Sequence, residues 1–300
     1  MKKEILIIGS GAIASFYGAF LAKKVSITML CRSDYDAIKT NGIKIESHLE
    51  NFHFYPQVIK DLSEYKLHAD YVIIATKALP SIDLTAMINN IKHLPKNIVL
   101  IQNGIHIENE LYKNFPQINL ISVLAFVAVS RISSAVVKHF DYGKLIIGNY
   151  PNNINDDCWN LINLFRDCGV EIEESQNIIE ERWKKLIWNG AFNPVSVLAG
   201  GCDTKKLLDN PFCKDLLQKI MKEIIALARL DGFFLEENLI AKNFDLTYKM
   251  KPYKTSMLLD FEAKKPMEIE AILGNALTFA QSKSVSTPYL STIYALLSCY

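Results

Sequence analysis

Three features of this sequence predict an α/β domain followed by an all-α one. An uninterrupted apolar run, Ile5 to Ile8, opens into a glycine-bearing turn and then into an apolar pattern of helical spacing. Short apolar runs of the kind that form strands covered on both faces recur up to about residue 174. From residue 175 onward the pattern turns to long helical periodicities. The expected architecture is a Rossmann-type dinucleotide-binding domain over 1–174 and an all-helical domain over 175–300.

The turn after the first run, Gly9-Ser10-Gly11-Ala12-Ile13-Ala14, has the spacing of a dinucleotide fingerprint. Gly9 allows the tight exit from the strand. Gly11 lets backbone N–H groups approach a pyrophosphate, whose charge the helix N-terminus favours. Ala14 stands where a third Gly often sits and adds one methyl at the strand–helix contact. Phe16, Tyr17, Phe20 and Leu21 then recur on one helical face. Met1-Lys2-Lys3 before an apolar run has the outline of a secretion signal, but Glu4 and the Gly9-Ser10-Gly11 turn interrupt it.

Composition narrows the function classes. Lys and Arg number 33 against 32 Asp and Glu, a formal charge of +1, so nothing points to nucleic acid or an anionic membrane surface. The six cysteines form no C-x-x-C pair and read as scattered thiols of a reducing cytoplasm. The longest apolar stretch, about Ile118 to Val137, is broken by Asn119, Ser122, Ser130 and Arg131, which does not suit a membrane span.

Along the chain, Val25 to Leu30 read as a second strand, ending in Cys31-Arg32-Ser33. An acidic residue at this end would favour the ribose 2′-hydroxyl of NAD, whereas Arg32 offers a planar cation to the 2′-phosphate of NADP. Asp34 lies close by and complicates that preference. Asp34 to Asn41 read as a short helix, and Ile43 to Ser47 with Phe52 to Val58 as a small hairpin. Tyr71 to Ala75 and Asn97 to Ile101 are further strands, ending in Thr76-Lys77 and Gln102-Asn103-Gly104. Polar residues at such ends lie where open α/β sheets bind ligands, which marks Lys77 and Asn103. Strand segments Leu120 to Val129, Ala135 to Phe140 and Lys144 to Ile147, a helix over Asp156 to Cys168 and a last strand over Val170 to Ile172 complete this half.

In the second half, the helix from Glu181 to Pro194 carries Lys185, Asn189 and Asn193 only about 40° apart at each step. Asn competes for backbone hydrogen bonds inside helices, so two of them above a Lys fit either polar recognition of a small substrate or the satisfaction of nearby backbone groups. Pro266 should open a helix and leave Glu268 in its first turn, with Glu270 pointing elsewhere. All six histidines lie in the first half of the sequence, which disfavours a dehydrogenase whose acid–base His comes from the second domain. No Cys/His cluster has zinc spacing, and no metal is expected. A lysine is then the best remaining proton donor.

With GSGAIA, ATKA, QNG, W-K-K-L-x-x-N-x-x-x-N-P and K-T-S-M-L-L-D followed by Glu268 in this order, nearly the whole chain resembles the ketopantoate reductases (2-dehydropantoate 2-reductases). The resemblance implies that Lys185 and Glu268 are catalytic and that Asn103, Lys185, Asn189, Asn193, Ser256 and Glu268 bind substrate. Beside Gly9 to Ala14 and Arg32, read above as binding the cofactor, it implies that Lys77 and Asn103 lie beside NADPH and substrate. The implied reaction is hydride transfer to the 2-keto carbon of ketopantoate, with Lys185 as proton donor, in pantothenate and coenzyme A biosynthesis. Departures from the family pattern are Ala14, Lys23-Lys24 in place of a Gly-His pair, and Tyr253 where some members carry a substrate-contacting Asn. The alternatives are a reductase of another 2-keto or 3-keto acid and a non-catalytic NADP(H)-binding sensor. The expected partner is a small 2-keto acid, and the helical half could support a homodimer, as in some relatives.

Overall fold

A computed structural model describes residues 3–300; Met1 and Lys2 of the N-terminal charge pattern lie outside them. The chain forms two compact units. The first runs to Lys77 and resumes at Asp83–Gln102 and Glu108–Ile178. The second takes Ala78–Ile82, Asn103–Ile107 and Ile179–Tyr300. Where the sequence suggests one cut near residue 175, two short segments of the first half thus fold with the second unit.

The first unit is a ten-stranded mixed sheet. Its elements are β1 Glu4–Ile8, α1 Ala12–Leu21, β2 Ser26–Leu30, α2 Tyr35–Asn41, β3 Ile43–Ser47, β4 Phe52–Phe54 and β5 Gln57–Ile59. There follow β6 Tyr71–Ile74, α3 Leu84–Asn89, β7 Asn97–Ile101, α4 Asn109–Asn114, β8 Asn119–Ser133, β9 Val136–Asn149, α5 Asp156–Asp167 and β10 Ile172–Glu174. The order is β4-β3-β9-β8-β7-β6-β1-β2-β5, with β10 on β9. β1 is parallel to both β2 and β6, so the chain leaves it in one direction for β2 and returns on its other side for β6. Ligands of doubly wound sheets bind at such a switch point, and here it is the end carrying Gly9. Ile5, Leu6, Ile7 and Ile8 are buried, as the unbroken apolar run requires, and Phe16, Tyr17, Phe20 and Leu21 of α1 share one core with Ile5 and Ile7.

Three local expectations are corrected. The segment Phe52 to Val58 is not one strand: β4 pairs antiparallel with β3, but after Pro56 the chain forms β5, parallel to β2 at the opposite edge. Proline lacks the N–H a ladder needs and holds the preceding residue extended, so pairing breaks there. The separate strands expected between Ala135 and Ile147 are one, β9, whose register against β8 shifts three times and so absorbs the turn-like Tyr142-Gly143. The last strand begins at Ile172 rather than Val170, which is instead buried in the core.

The second unit is helical: α6 Ile178–Leu198, α7 Thr204–Asp209, α8 Pro211–Leu230, α9 Asn238–Lys249, α10 Ser256–Glu262, a π turn Glu270–Gly274, α11 Asn275–Ser282 and α12 Pro288–Leu297. Pro194 lies inside α6, where its ring meets the carbonyl of the residue four earlier, Gly190. Gly190 is itself packed so closely that an added Cβ would lie 2.7 Å from Ile224 Cδ1 on α8. Trp183, Leu186, Ile187, Ala191 and Phe192 form the apolar side of α6 and share one core with α8 and α11. Among the described residues no helix is long and apolar enough to cross a membrane.

Candidate active site

In the first unit the glycine turn has the shape the fingerprint demands. Gly9 has φ +118°, and an added Cβ would sit 3.3 Å from both Ala75 O and Thr76 Cγ2, so only glycine fits without strain. Gly11 is exposed, and nothing lies within 4 Å of where its Cβ would be. No side chain caps α1 and its first turn holds no acid, so the N–H groups of Ala12, Ile13 and Ala14 face an open, electropositive helix end. The residues present therefore fit a dinucleotide pyrophosphate. Ser10 hydrogen-bonds Cys31 at the end of β2. Next to Cys31, Arg32 is exposed, and among the described residues no ion pair or hydrogen bond engages it. Lys77 is half-buried beyond the end of β6, after Thr76, which accepts the Gln102 amide through its carbonyl at 2.9 Å and its hydroxyl at 3.2 Å.

The second unit brings three of the sequence-derived residues into one hydrogen-bonded chain. Lys185 Nζ donates to Asn103 Oδ1 at 3.0 Å, and Asn103 Nδ2 donates to Glu268 Oε2 at 3.3 Å. The other oxygen of Glu268, Oε1, accepts the backbone N–H of Ala78 at 2.9 Å. Burial first, and then the Arg182 guanidinium one turn earlier on α6, push the Lys185 ammonium down to about 7, against the pull of Glu268. Glu268 stands one residue ahead of the first helical residue, Ile269, rather than in a first turn. Glu270 does point elsewhere: its Oε1 accepts the Tyr294 hydroxyl at 2.6 Å.

The loop that carries Asn103 is clamped along its length. Gly104 O accepts Arg182 Nη1 at 3.0 Å, Ile105 N donates to Ala271 O at 3.1 Å, and Ile105 O accepts Asn275 Nδ2 at 2.8 Å. Ala271 belongs to the π turn, and its carbonyl leaves no room beside Gly104, where a Cβ would lie 2.5 Å away. His106 closes the clamp through Asp231, 3.0 Å from its Nε2, and Asp231 also accepts Trp183 Nε1 at 2.8 Å. Against the effect of burial, these two donors hold the Asp231 carboxyl below its ordinary value. His106 thus belongs to the second unit although it lies in the first half of the sequence, which corrects the elimination of histidines from that unit.

Asn189, Asn193 and Ser256 stand outside this hydrogen-bonded chain. Asn189 is half-buried on α6. Asn193 is 1% exposed, and its Oδ1 has no hydrogen-bond partner. Ser256 is the exposed first residue of α10, capped by the buried Thr255, whose hydroxyl meets Ser196 Oγ at 2.7 Å. Sequence reading missed Arg182, although its place one turn before Lys185 was a usable signal. It also missed Asp231, for which no local signal existed.

The family model described as "Ketopantoate reductase PanE/ApbA" matches residues 5–152, and that for the ketopantoate reductase C terminus matches residues 177–300. The chain is similar to the 2-dehydropantoate 2-reductase of Nostoc sp., at 31% identity over 98% of this chain and 93% of the relative. Among solved structures it is similar to the 2-dehydropantoate 2-reductase of Methylococcus capsulatus, with TM-score 0.92 and 41% identity, covering 99% of this chain and 96% of the other. The dimeric ketopantoate reductase of Staphylococcus aureus shares the fold, with TM-score 0.80 at 22% identity over 99% of this chain and 98% of that one.

Proposed function

Because the chain belongs to the ketopantoate reductase family, an oxidoreductase family, we propose that it reduces 2-dehydropantoate to pantoate with NADPH in pantothenate and coenzyme A biosynthesis. The observation that carries this reading is the Lys185–Asn103–Glu268 chain with an ammonium held near neutral acidity. When bound, the dinucleotide supplies hydride from its nicotinamide. Gly9 to Ala14 hold its pyrophosphate through backbone N–H groups, and Arg32 meets its 2′-phosphate. Lys77 lines the same site.

As charge develops on the 2-keto oxygen, Lys185 stabilises it and delivers a proton. A lysine at its ordinary pKa near 10.5 is a poor acid at neutral pH, whereas one near 7 releases its proton readily. Asn103 orients the ammonium without neutralising it. Glu268, held by Ala78 N and Asn103 Nδ2, accepts from the substrate's 4-hydroxyl. Asn189 and Asn193 orient the rest of the substrate, for which the unpartnered Oδ1 of Asn193 is a free acceptor, and Ser256 helps to hold the carboxylate. The protein acts in the cytoplasm as a homodimer; sedimentation at micromolar concentration showing only a 34.0 kDa species would exclude the dimer.

The test is a panel of 2-keto and 3-keto acids with purified protein, followed by NADPH absorbance. Ketopantoate should give the highest kcat/KM. A higher value with a keto acid lacking the 4-hydroxyl would assign the site to another substrate, and no turnover with any would favour the sensor.

A further inference from the structure

We propose that Arg131 and Asp34 form an ion pair that sets cofactor specificity, with Arg131 screening a carboxylate that would otherwise repel the 2′-phosphate at Arg32. This rests on the NADPH reading above. Asp34 lies two residues beyond Arg32 in the β2–α2 turn, the turn from which Rossmann-type domains read the ribose 2′ position. It is only 5% exposed, and although it is the N-cap residue of α2, its carboxylate makes no capping bond to that helix. Oδ2 pairs with Arg131 Nη1, and Oδ1 accepts Ser134 Oγ at 3.2 Å and Ser33 Oγ at 3.4 Å.

Arg131 and Ser134 come from the far end of the β8–β9 hairpin, about a hundred residues along the chain, so the hairpin tip is what neutralises the turn. Lys44 N bonds Ala135 O at 2.9 Å, and β3 runs alongside β9 from Lys44–Val136, which fixes the tip in this place. Arg32, by contrast, is exposed and engaged by no ion pair among the described residues. Of two arginines and one carboxylate in this neighbourhood, the hairpin arginine consumes the carboxylate and leaves the turn arginine for the ligand.

The prediction is read by equilibrium fluorescence titration with NADPH and with NADH, no keto acid present. Wild type should prefer NADPH. Arg131→Gln should cut that preference about tenfold by weakening NADPH alone, because it exposes a full negative charge to a phosphate well within a Debye length. Adding Asp34→Asn to Arg131→Gln should restore the preference. An unchanged preference in Arg131→Gln overturns the proposal. So does a double variant that fails to recover, since Arg131 would then touch the phosphate itself. Arg32→Ala separates the two readings: loss of preference there with none in Arg131→Gln fells only the proposal, whereas retained preference in Arg32→Ala fells the NADPH reading and the proposal with it. Should Arg131→Gln not fold, Asp34→Asn alone decides, because removing the carboxylate must keep or raise NADPH preference and a fall overturns the idea.

Discussion

Replacing Lys185 by Met should make the protein's stability respond to pH differently from wild type. The ammonium falls from its ordinary value near 10.5 to about 7 on folding, so the folded chain binds this proton more weakly than the unfolded chain. For a lysine lowered in this way, stability rises with pH between the two values, and the penalty is complete below about 7. At about 1.4 kcal/mol per pH unit, the full penalty is roughly 5 kcal/mol, of which about 2 kcal/mol is relieved between pH 7 and pH 9. Lys185→Met keeps the apolar stem and removes the charge. It also deprives Asn103 Oδ1 of its donor, a loss that does not vary with pH in this window. The slope rather than the offset is therefore the test. Two of the three tryptophans, Trp183 and Trp188, lie on the same helix as Lys185, so with Trp159 of α5 replaced by Phe in both proteins, tryptophan fluorescence during urea unfolding reports on the right unit. Wild type should gain about 2 kcal/mol on the variant between pH 7 and pH 9. A difference equal at both pH values would mean that Lys185 keeps its ordinary basicity, and the acidity argument for proton donation would fail.

The same lowering should appear in catalysis: kcat/KM for the best keto acid should fall about tenfold per pH unit above about 7, and a profile flat to pH 9 would contradict it. Lys185→Ala should reduce turnover by on the order of a hundredfold while NADPH binding stays near normal, whereas Glu268→Ala should chiefly raise KM and blunt discrimination for a 4-hydroxyl. Equal effects of the two on kcat and KM would erase that division of labour. Gly104→Ala forces a side chain into φ +109° and against Ala271 O, so it should lower stability by about 2 to 4 kcal/mol in thermal unfolding. A neutral result would show that the π turn yields to the loop.

What the sequence disclosed and what it withheld follow from the range of the interactions. The Gly9–Ala14 turn and the stacking of Lys185, Asn189 and Asn193 on one face of α6 are periodicities within a few residues, so they are legible without tertiary knowledge. Asn103 and Glu268 stand 165 residues apart, and Ala78 and Glu268 stand 190 apart, so nothing local records that they meet. Pro266 draws attention to Glu268, but the role of Ser256 and Glu268 at a substrate came only from the resemblance to a family. The Asp34–Arg131 pair shows the same limit in the other direction. Asp34 read alone only complicates the preference for NADPH, and nothing near it in the sequence records that Arg131 of the hairpin pairs with it. The unbroken β9 was missed because Asp141-Tyr142-Gly143 has turn chemistry, which the ladder accommodates through shifted register.

The membership of Asn103–Ile107 and Ala78–Ile82 in the helical unit bears on how this protein can be taken apart. A polypeptide of residues 179–300 alone would lack Ile105, fully buried in the helical core, and would leave Asp231 without His106. Glu268 would lose the Ala78 N–H and the Asn103 amide at once. On a ribosome, the helical half finishes its core only by recruiting two loops made long before it. An exchange of C-terminal halves between relatives at a clean boundary would carry the lysine across but abandon the amide that aims it. The two halves must therefore be inherited, and engineered, as one piece.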